Sequence, residues 1–329
     1  MVDELTVETA RGPVPLSALG TTLMHEHVFI TSPEVMQNWP DYPEGFEEDE
    51  RVRDAVAQLQ RAKASGIDTI VDCTVIGLGR YVPRVQRVAA AVDVNIIVST
   101  GVYTYNDVPM YFYFRGPGTH LAGPETMTEF FVKDITQGIG RTGVKAAILK
   151  CATDSPGLTP GVERVLRAVA VAHRETGVPI TTHTHAASRR GLEQQRVFTE
   201  EGVDLTRVII GHSGDSTDVG YLEELLANGS YIGMDRFGVE GPDFDARVGI
   251  VATMCERGHA ERMVLSHDTM CFSDLIDFGK ARRDNPNWTF DHITRDVLPA
   301  LRARGVDEQQ IREMLVENPK RIFACRGSY

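Results

Sequence analysis

The hydrophobic pattern of the chain alternates between two kinds of segment. Short apolar runs rich in β-branched residues are typical of strands that are buried on both faces of a parallel sheet. Each run is followed by a helix-like stretch. In the amphipathic stretches, apolar residues recur at helical spacing. The runs predict eight strands, at residues 21–27, 67–74, 94–103, 144–151, 178–185, 207–213, 230–236 and 262–268.

Two of the intervening segments carry clear helix boundaries. Residues 49–65 place apolar side chains on one helical face and end just before Gly66, a residue suited to stopping a helix. Residues 160–176 follow Thr159, begin with a proline and stop at Gly177, which are the expected start and stop signals. Further helices are predicted at residues 125–137, 189–202 and 217–228.

Strands that alternate with helices predict an α/β fold, and eight such units favour a (β/α)8 barrel. A doubly wound open sheet is the alternative. We find no linker, repeat or low-complexity segment, so residues 1–329 are interpreted as one domain. Residues 1–18 predict a small N-terminal hairpin or cap. Residues 269–290 are too long for a simple loop after the last strand, and loops of that length are typically lids or binding loops.

The composition excludes several classes of protein. The net charge of −12 argues against binding to nucleic acid or to anionic membrane surfaces. We see no secretory signal and no apolar run long enough to span a bilayer. The cysteines are odd in number, widely spaced and without a CxxC motif, which predicts reduced thiols in a cytoplasmic protein. They are Cys73, Cys151, Cys255, Cys271 and Cys325.

Chemistry is first indicated by two histidines at the end of the first strand. His25 and His27 lie two residues apart, so on a strand they point to the same face while Glu26 points away. Two imidazoles that converge on one space suggest a metal ion. A pair of histidines hydrogen-bonded in a polar pocket is the alternative for this segment taken alone.

Other strands also end in polar residues, and a barrel gathers its strand ends at one rim, where active sites lie. Four of the eight strands end in histidine although the chain has only ten histidines. Histidines clustered with a carboxylate predict a metal site at this rim. The pattern does not choose between His183 and His185, which share a strand face. The other strand-end residues are Lys150, His212, His267 and Asp268, with Tyr103, Tyr105, Asp235 and Arg236 just beyond strands 3 and 7.

Lys150 would be repelled by divalent cations if it carried a proton. The neutral amine can react with carbon dioxide to give a carbamate, whose two oxygens can bridge two metals. Two divalent ions would then face three negative charges, from the carbamate, Asp268 and a bridging hydroxide. An ordinary ion pair between Lys150 and a carboxylate is the alternative.

The motifs MHEH, ILKCATD, TTHTHA, IIGHSGD and LSHD occur in this order and resemble the phosphotriesterase family of the amidohydrolase superfamily. The resemblance extends from residue 12 to residue 323 and implies a TIM barrel. Within the family, GVYTYNDVP at residues 101–109 is most similar to the phosphotriesterase-like lactonases, because true phosphotriesterases carry tryptophan where Tyr103 stands. The long segment after strand 8 also resembles the lactonase substrate-channel loop.

The resemblance implies a binuclear metal centre and assigns its ligands. The family motif aligns the ligand of strand 5 with His183 rather than His185, which is then structural. Zinc is the expected metal, and iron, cobalt or manganese suit the same ligands. The implied ligands are His25, His27 and Asp268 for the more buried ion, His183 and His212 for the more exposed ion, and carboxylated Lys150 with a hydroxide between them.

The resemblance also implies a metal-dependent hydrolase that opens N-acyl homoserine lactones, a quorum-quenching activity, with weak phosphotriesterase activity and a homodimeric assembly. Asp268 would accept the proton of the nucleophile, Tyr103 would lie near the lactone ring, and Arg236 would line the pocket mouth. The alternatives are a dedicated organophosphate hydrolase and a barrel that binds metal without catalysis. Apolar residues expected to line an acyl channel are Met270, Phe272, Leu275, Ile276 and Phe278.

Overall fold

The computed structural model of the protein describes residues 4–41, 46–324 and 327–329. Cys325 lies outside the described residues. The chain begins with the predicted hairpin, in which strands β1 (Thr6–Thr9) and β2 (Gly12–Pro15) pair antiparallel.

Within the described residues, a parallel sheet of nine strands follows and forms the centre of the molecule. Its order is β10-β9-β8-β7-β6-β5-β4-β3-β11, so neighbours in sequence are neighbours in space apart from the last strand. The strands are β3 (Thr22–Ile30), β4 (Thr69–Asp72), β5 (Asn95–Gly101), β6 (Ile148–Thr153), β7 (Ile180–Thr184), β8 (Val208–Ile210), β9 (Tyr231–Met234), β10 (Met263–Leu265) and β11 (Met270–Ser273).

The eight predicted strands correspond to β3 through β10, and the predicted barrel is confirmed. Every residue of β3, β4 and β6 is buried, as expected for strands covered on both faces. The ring closes between its first and last strands, because the amide of Asp268 donates to the carbonyl oxygen of His25 at 3.1 Å and that of His27 donates to Thr269 at 2.8 Å. The carboxyl ends of the strands therefore meet at one rim.

Helices surround the sheet, and the predicted boundaries hold to within two residues. In α6 the Thr159 side chain accepts from the amide of Val162, and Gly177 ends the helix with a φ of 77°. The helices are α1 (Pro33–Asn38), α2 (Glu48–Ala64), α3 (Val82–Ala89), α4 (Met110–Tyr113), α5 (Thr126–Thr136), α6 (Pro160–Thr176), α7 (Arg190–Glu200), α8 (Val219–Ala227), α9 (Phe244–Glu256), α10 (Phe278–Asp284), α11 (Leu298–Ala303), α12 (Glu308–Arg312) and α13 (Asn318–Phe323), with π-helical turns at Ile293–Val297 and Glu313–Glu317.

The long segment after β10 is more ordered than a simple loop. It contains β11, which pairs with β3, and α10. Phe272 and Phe278 pack against each other with ring centroids 5.8 Å apart, and Phe272 also contacts Phe46 at 5.5 Å. Phe272 is therefore part of the packed interior. Among the described helices, none has the length and apolar character needed to cross a membrane.

Candidate metal centre

A cavity of about 370 Å³ opens at the carboxyl ends of the strands. All of the residues that the sequence nominated for the site lie on its wall. The register of β6 and β7 pairs Lys150 with Thr181 and Ala152 with His183. Lys150 and His183 therefore lie near the same end of the sheet. The nominated residues on the wall are His25, His27, Tyr103, Lys150, His183, His212, Arg236 and Asp268.

One side of the cavity holds two histidines and a carboxylate. Alternation along β3 places His25 and His27 on the same face, and both are buried. Asp268 Oδ1 lies 3.7 Å from His25 Nε2 and 3.4 Å from His27 Nε2. The potential ligand atoms of the three residues all lie within 4.8 Å of one another, a spacing that suits a single cation.

A second carboxylate lies behind these rings. Asp235, which follows β9, is completely buried, with Oδ2 3.1 Å from His25 Nδ1 and Oδ1 2.9 Å from His212 Nδ1. A carboxylate on one ring nitrogen directs the other nitrogen towards a metal. It therefore turns Nε2 of both rings into the cavity, where His212 Nε2 lies 3.8 Å from Asp268 Oδ2. The sequence placed Asp235 at a strand end but gave it no role.

His183 turns Nδ1, rather than Nε2, towards the cavity. Its Nε2 lies 2.5 Å from Asp154 Oδ2, while its Nδ1 lies 3.3 Å from the hydroxyl of Tyr103. Asp154 was not nominated from the sequence, although it ends the motif ILKCATD. His185 lies apart, with Nδ1 2.8 Å from the Ser188 hydroxyl.

Lys150 is 1 % exposed, and its Nζ lies 2.6 Å from His25 Nε2. Within the described part of the chain, no carboxylate forms an ion pair with this amine. The ordinary ion pair considered from the sequence is therefore not what surrounds Lys150. A buried cationic amine without a counter-ion is costly.

Glu26 points away from the cavity and organises the end of β10. Its Oε1 accepts from His267 Nδ1 at 2.7 Å and from the Ser266 hydroxyl at 3.0 Å, and its Oε2 accepts from the amide of Thr269 at 2.8 Å. These contacts hold Asp268, whose φ of 53° lies in the left-handed region. His267 is thus turned away from the ligand cluster.

Arg236 is held at the cavity mouth by a pair of acids. Its Nη1 lies 2.7 Å from Asp215 Oδ2 and its Nε lies 3.5 Å from Asp268 Oδ2. Asp215 also pairs with the buried Arg247 at 2.7 Å, which fixes the carboxylate between two guanidinium groups. The sequence gave no role to Asp215 or Arg247.

Comparison with known proteins identifies the family. The profile of the phosphotriesterase family matches residues 5–323. The chain belongs to the phosphotriesterase family. It is 63% identical to the "Phosphotriesterase homology protein" of Mycobacterium tuberculosis over 325 residues, which is 98% of this chain and 99% of that one. It is 39% identical to the "Aryldialkylphosphatase" of Saccharolobus solfataricus over 312 residues, or 93% and 95% of the two chains.

A solved structure extends this likeness to three dimensions. The structure described as the phosphotriesterase from Mycobacterium tuberculosis superposes with a TM-score of 0.97 at 62% identity, over 99% of this chain and 100% of that one. The predicted phosphotriesterase-like family and its TIM barrel are thereby confirmed. This protein is a phosphotriesterase-family hydrolase.

The electrostatics of the phosphotriesterase-family site fix the protonation of His212, Asp268 and Tyr103. Burial lowers the pKa of His212 to about 3, against the attraction of Asp235 and Asp268, so its imidazole is neutral and able to bind a metal. Burial raises the pKa of Asp268, but the neighbouring imidazoles and Arg236 hold that pKa well below its ordinary value. Burial raises the pKa of Tyr103 well above its ordinary value, so its hydroxyl stays a hydrogen-bond donor.

The donor set of this phosphotriesterase-family chain fits a binuclear metal centre. Imidazole nitrogens and carboxylate oxygens are the ligands of catalytic zinc and similar ions. Asp235, buried between His25 and His212, adds a second negative charge next to these donors. Among the described residues, His25, His27 and Asp268 form a group whose ligand atoms are close enough together to hold one of these cations.

Proposed function

We propose that this protein is a binuclear metal-dependent lactonase. It hydrolyses the ester of N-acyl homoserine lactones and related lactones, a quorum-quenching activity, and hydrolyses phosphotriesters weakly. The observation that carries the proposal is the position of Tyr103, whose hydroxyl lies 3.3 Å from His183 Nδ1 on the cavity wall. This is the position where the phosphotriesterase branch, by the resemblance described above, has a tryptophan.

The proposal assigns the metal ligands as the family motif suggests. Bound ions would supply a hydroxide nucleophile at neutral pH and would polarise the carbonyl oxygen of the lactone. Zinc is the proposed metal, with iron, cobalt and manganese suited to the same donors. The residues that would hold the ions are His25, His27, Asp268, His183, His212 and carboxylated Lys150.

The side chains of the cavity would then transfer the proton and bind the lactone ring. Asp268 accepts the proton of the attacking nucleophile as the new carbon–oxygen bond forms. It returns that proton to the ring oxygen as the ester bond breaks, which leaves a hydroxy acid. Arg236, 3.5 Å from Asp268, adds to the effect of the neighbouring imidazoles that keep this carboxylate ionised before the reaction. Tyr103 donates a hydrogen bond to the lactone ring.

The apolar side chains at the mouth of the cavity favour a substrate that carries an acyl chain. Leu275 and Ile276 line it and are 51% and 43% exposed, which leaves apolar surface for a chain to cover. Met270 lines the deeper wall. Of the five residues expected at this channel, Phe272 and Phe278 are not among those that line the cavity, and their rings pack against each other instead.

A dedicated phosphotriesterase is the second candidate. It is favoured by the names of the relatives, since "Aryldialkylphosphatase" describes an organophosphate hydrolase in Saccharolobus solfataricus. The same nucleophile can attack a tetrahedral phosphorus, and the cavity does not by its volume exclude such a substrate.

A substrate panel separates these functions. We expect kcat/KM for long-chain N-acyl homoserine lactones to exceed that for paraoxon by at least about tenfold, which corresponds to about 1.4 kcal/mol of transition-state binding. The metal content is measured on the same sample. A higher value for paraoxon would support the dedicated phosphotriesterase. Inactivity of the metal-loaded protein on lactones, esters and phosphotriesters would support a barrel that binds metal without catalysis.

We also propose that the protein is a cytoplasmic homodimer. Four cysteines are buried and unpaired in the described part of the chain, in keeping with a reducing compartment. Exposed apolar side chains cluster near α4, among them Met110, Tyr113 and Leu121. Light scattering on the purified protein should give twice the mass of one chain, and a single-chain mass would refute the dimer.

A further inference from the structure

His183 differs from the other three histidines of the site in the nitrogen that it turns inwards. In His25 and His212, Nδ1 contacts Asp235, and in His27, Nδ1 contacts the Thr74 hydroxyl at 2.8 Å. These three rings therefore direct Nε2 to the cavity. In His183 the partner is on Nε2, so the inward nitrogen is Nδ1.

The partner of His183 is a carboxylate in a fixed position. Asp154 Oδ2 lies 2.5 Å from His183 Nε2, and Asp154 Oδ1 accepts from the amide of Ser155 at 2.6 Å. The loop is held in turn by Arg190, whose Nη2 donates to the Ser155 carbonyl oxygen at 2.8 Å. Both carboxylate oxygens thus have a defined role, and the side chain has little freedom to leave the ring.

The remaining faces of the His183 ring are packed. The ring centroids of Tyr103, Tyr105 and His212 lie 5.3, 5.4 and 4.6 Å from its own. The ring therefore cannot turn freely. The contact at Nε2 decides which of the two ring nitrogens carries the proton. A carboxylate can only accept a hydrogen bond, so it requires a proton on Nε2 and leaves Nδ1 with a free lone pair.

We propose that Asp154 is a positioning residue that fixes His183 in the tautomer protonated on Nε2 and so makes Nδ1 the ligand of the more exposed metal. The inference rests on the metal centre of the proposed function. Carboxylates that hold a ligating histidine in this way raise its basicity, and their loss typically costs 10–100-fold in metal affinity. Asp154 acts on one ion only, because its contact is with one ligand.

The decisive variant is Asp154→Asn, which keeps the size and the acceptor for Ser155 but removes the charge. The amide can donate to Nε2 as well as accept from it, so it no longer selects the tautomer. Competition with a chromophoric chelator measures the two Zn²⁺ affinities separately. We expect the weaker affinity to fall about 10–100-fold and the tighter one to stay within about threefold. Asp154→Glu, which restores a carboxylate, should recover part of the loss.

Asp107→Asn is the matched control, since it removes an exposed carboxylate near the same rim whose side chain binds its own loop at Val108. Thermal unfolding of the metal-free variants shows whether each is folded. Unchanged Zn²⁺ affinities in Asp154→Asn, or equal losses in Asp154→Asn and Asp107→Asn, would overturn the role of Asp154. A wild-type chain that binds fewer than two ions would overturn the metal centre itself and this inference with it.

Discussion

Replacing Lys150 with alanine is expected to remove most of the hydrolytic activity together with one or both metal ions. The Lys150 amine lies 2.6 Å from His25 Nε2, deep in the cavity, and it is the residue proposed to bridge the ions. Its loss removes a ligand from both ions at once. Loss of a residue that only supports a metal ligand costs up to about a hundredfold in activity. Because Lys150 is proposed to be a ligand itself, we expect activity to fall at least about a hundredfold. Elemental analysis of the purified variant gives the metal content.

Two controls make the result for Lys150 specific. Short carboxylates such as propionate should partly restore activity, because they can take the place of the carbamate. Lys145→Ala removes a lysine from the same stretch of chain, at a half-exposed position 3.9 Å from Glu8, and should leave metal content unchanged. If Lys150→Ala kept both ions, the bridging role would be wrong.

Asp268→Asn should also have a large effect. The substitution removes a carboxylate that faces three imidazoles and that is proposed both to bind the buried ion and to accept a proton. General acid–base catalysis contributes about 10²–10⁴-fold, so we expect kcat to fall within that range. KM should change far less, because the acyl chain is proposed to bind at Leu275 and Ile276. Steady-state kinetics on the metal-loaded variant measures both constants.

The matched control for Asp268 is Asp284→Asn. Asp284 is half exposed, pairs with Lys280 and lies in the same long segment after β10. This variant should keep wild-type kcat and KM. A value of kcat in Asp268→Asn that matched the control would show that the carboxylate takes no part in the reaction.

Much of the fold was predictable because the local signals are strong. Parallel strands are buried on both faces and leave near-continuous apolar runs, and helix ends such as Thr159 and Gly177 carry their own chemistry. Strand β11 was not predicted, since its residues 270–273 are as short and apolar as a packed loop. Only the pairing with β3, more than 200 residues away in sequence, makes them a strand. The single-domain organisation stays a prediction.

The site was predictable only in part, because some of its contacts join residues on different strands. A strand end tells which rim a side chain reaches, and that was enough to bring His25, His212 and Asp268 together. The choice of His183 over His185 came from the family motif. The partners of the ligands depend on contacts across strands that no spacing reveals. Asp235 serves two rings from different strands, and Asp154 serves one ring from a neighbouring loop. Neither contact has a periodic signature in the sequence.

We propose above that the barrel gathers distant side chains around two metal ions. The most direct measurement is anomalous scattering from a crystal of the Zn²⁺-reconstituted protein. We expect two peaks about 3.5–4 Å apart. One would lie among His25, His27 and Asp268 and the other beside His183 and His212, with carbamate density on Lys150. A reconstituted crystal with no peak in this cavity and an unmodified lysine would contradict it.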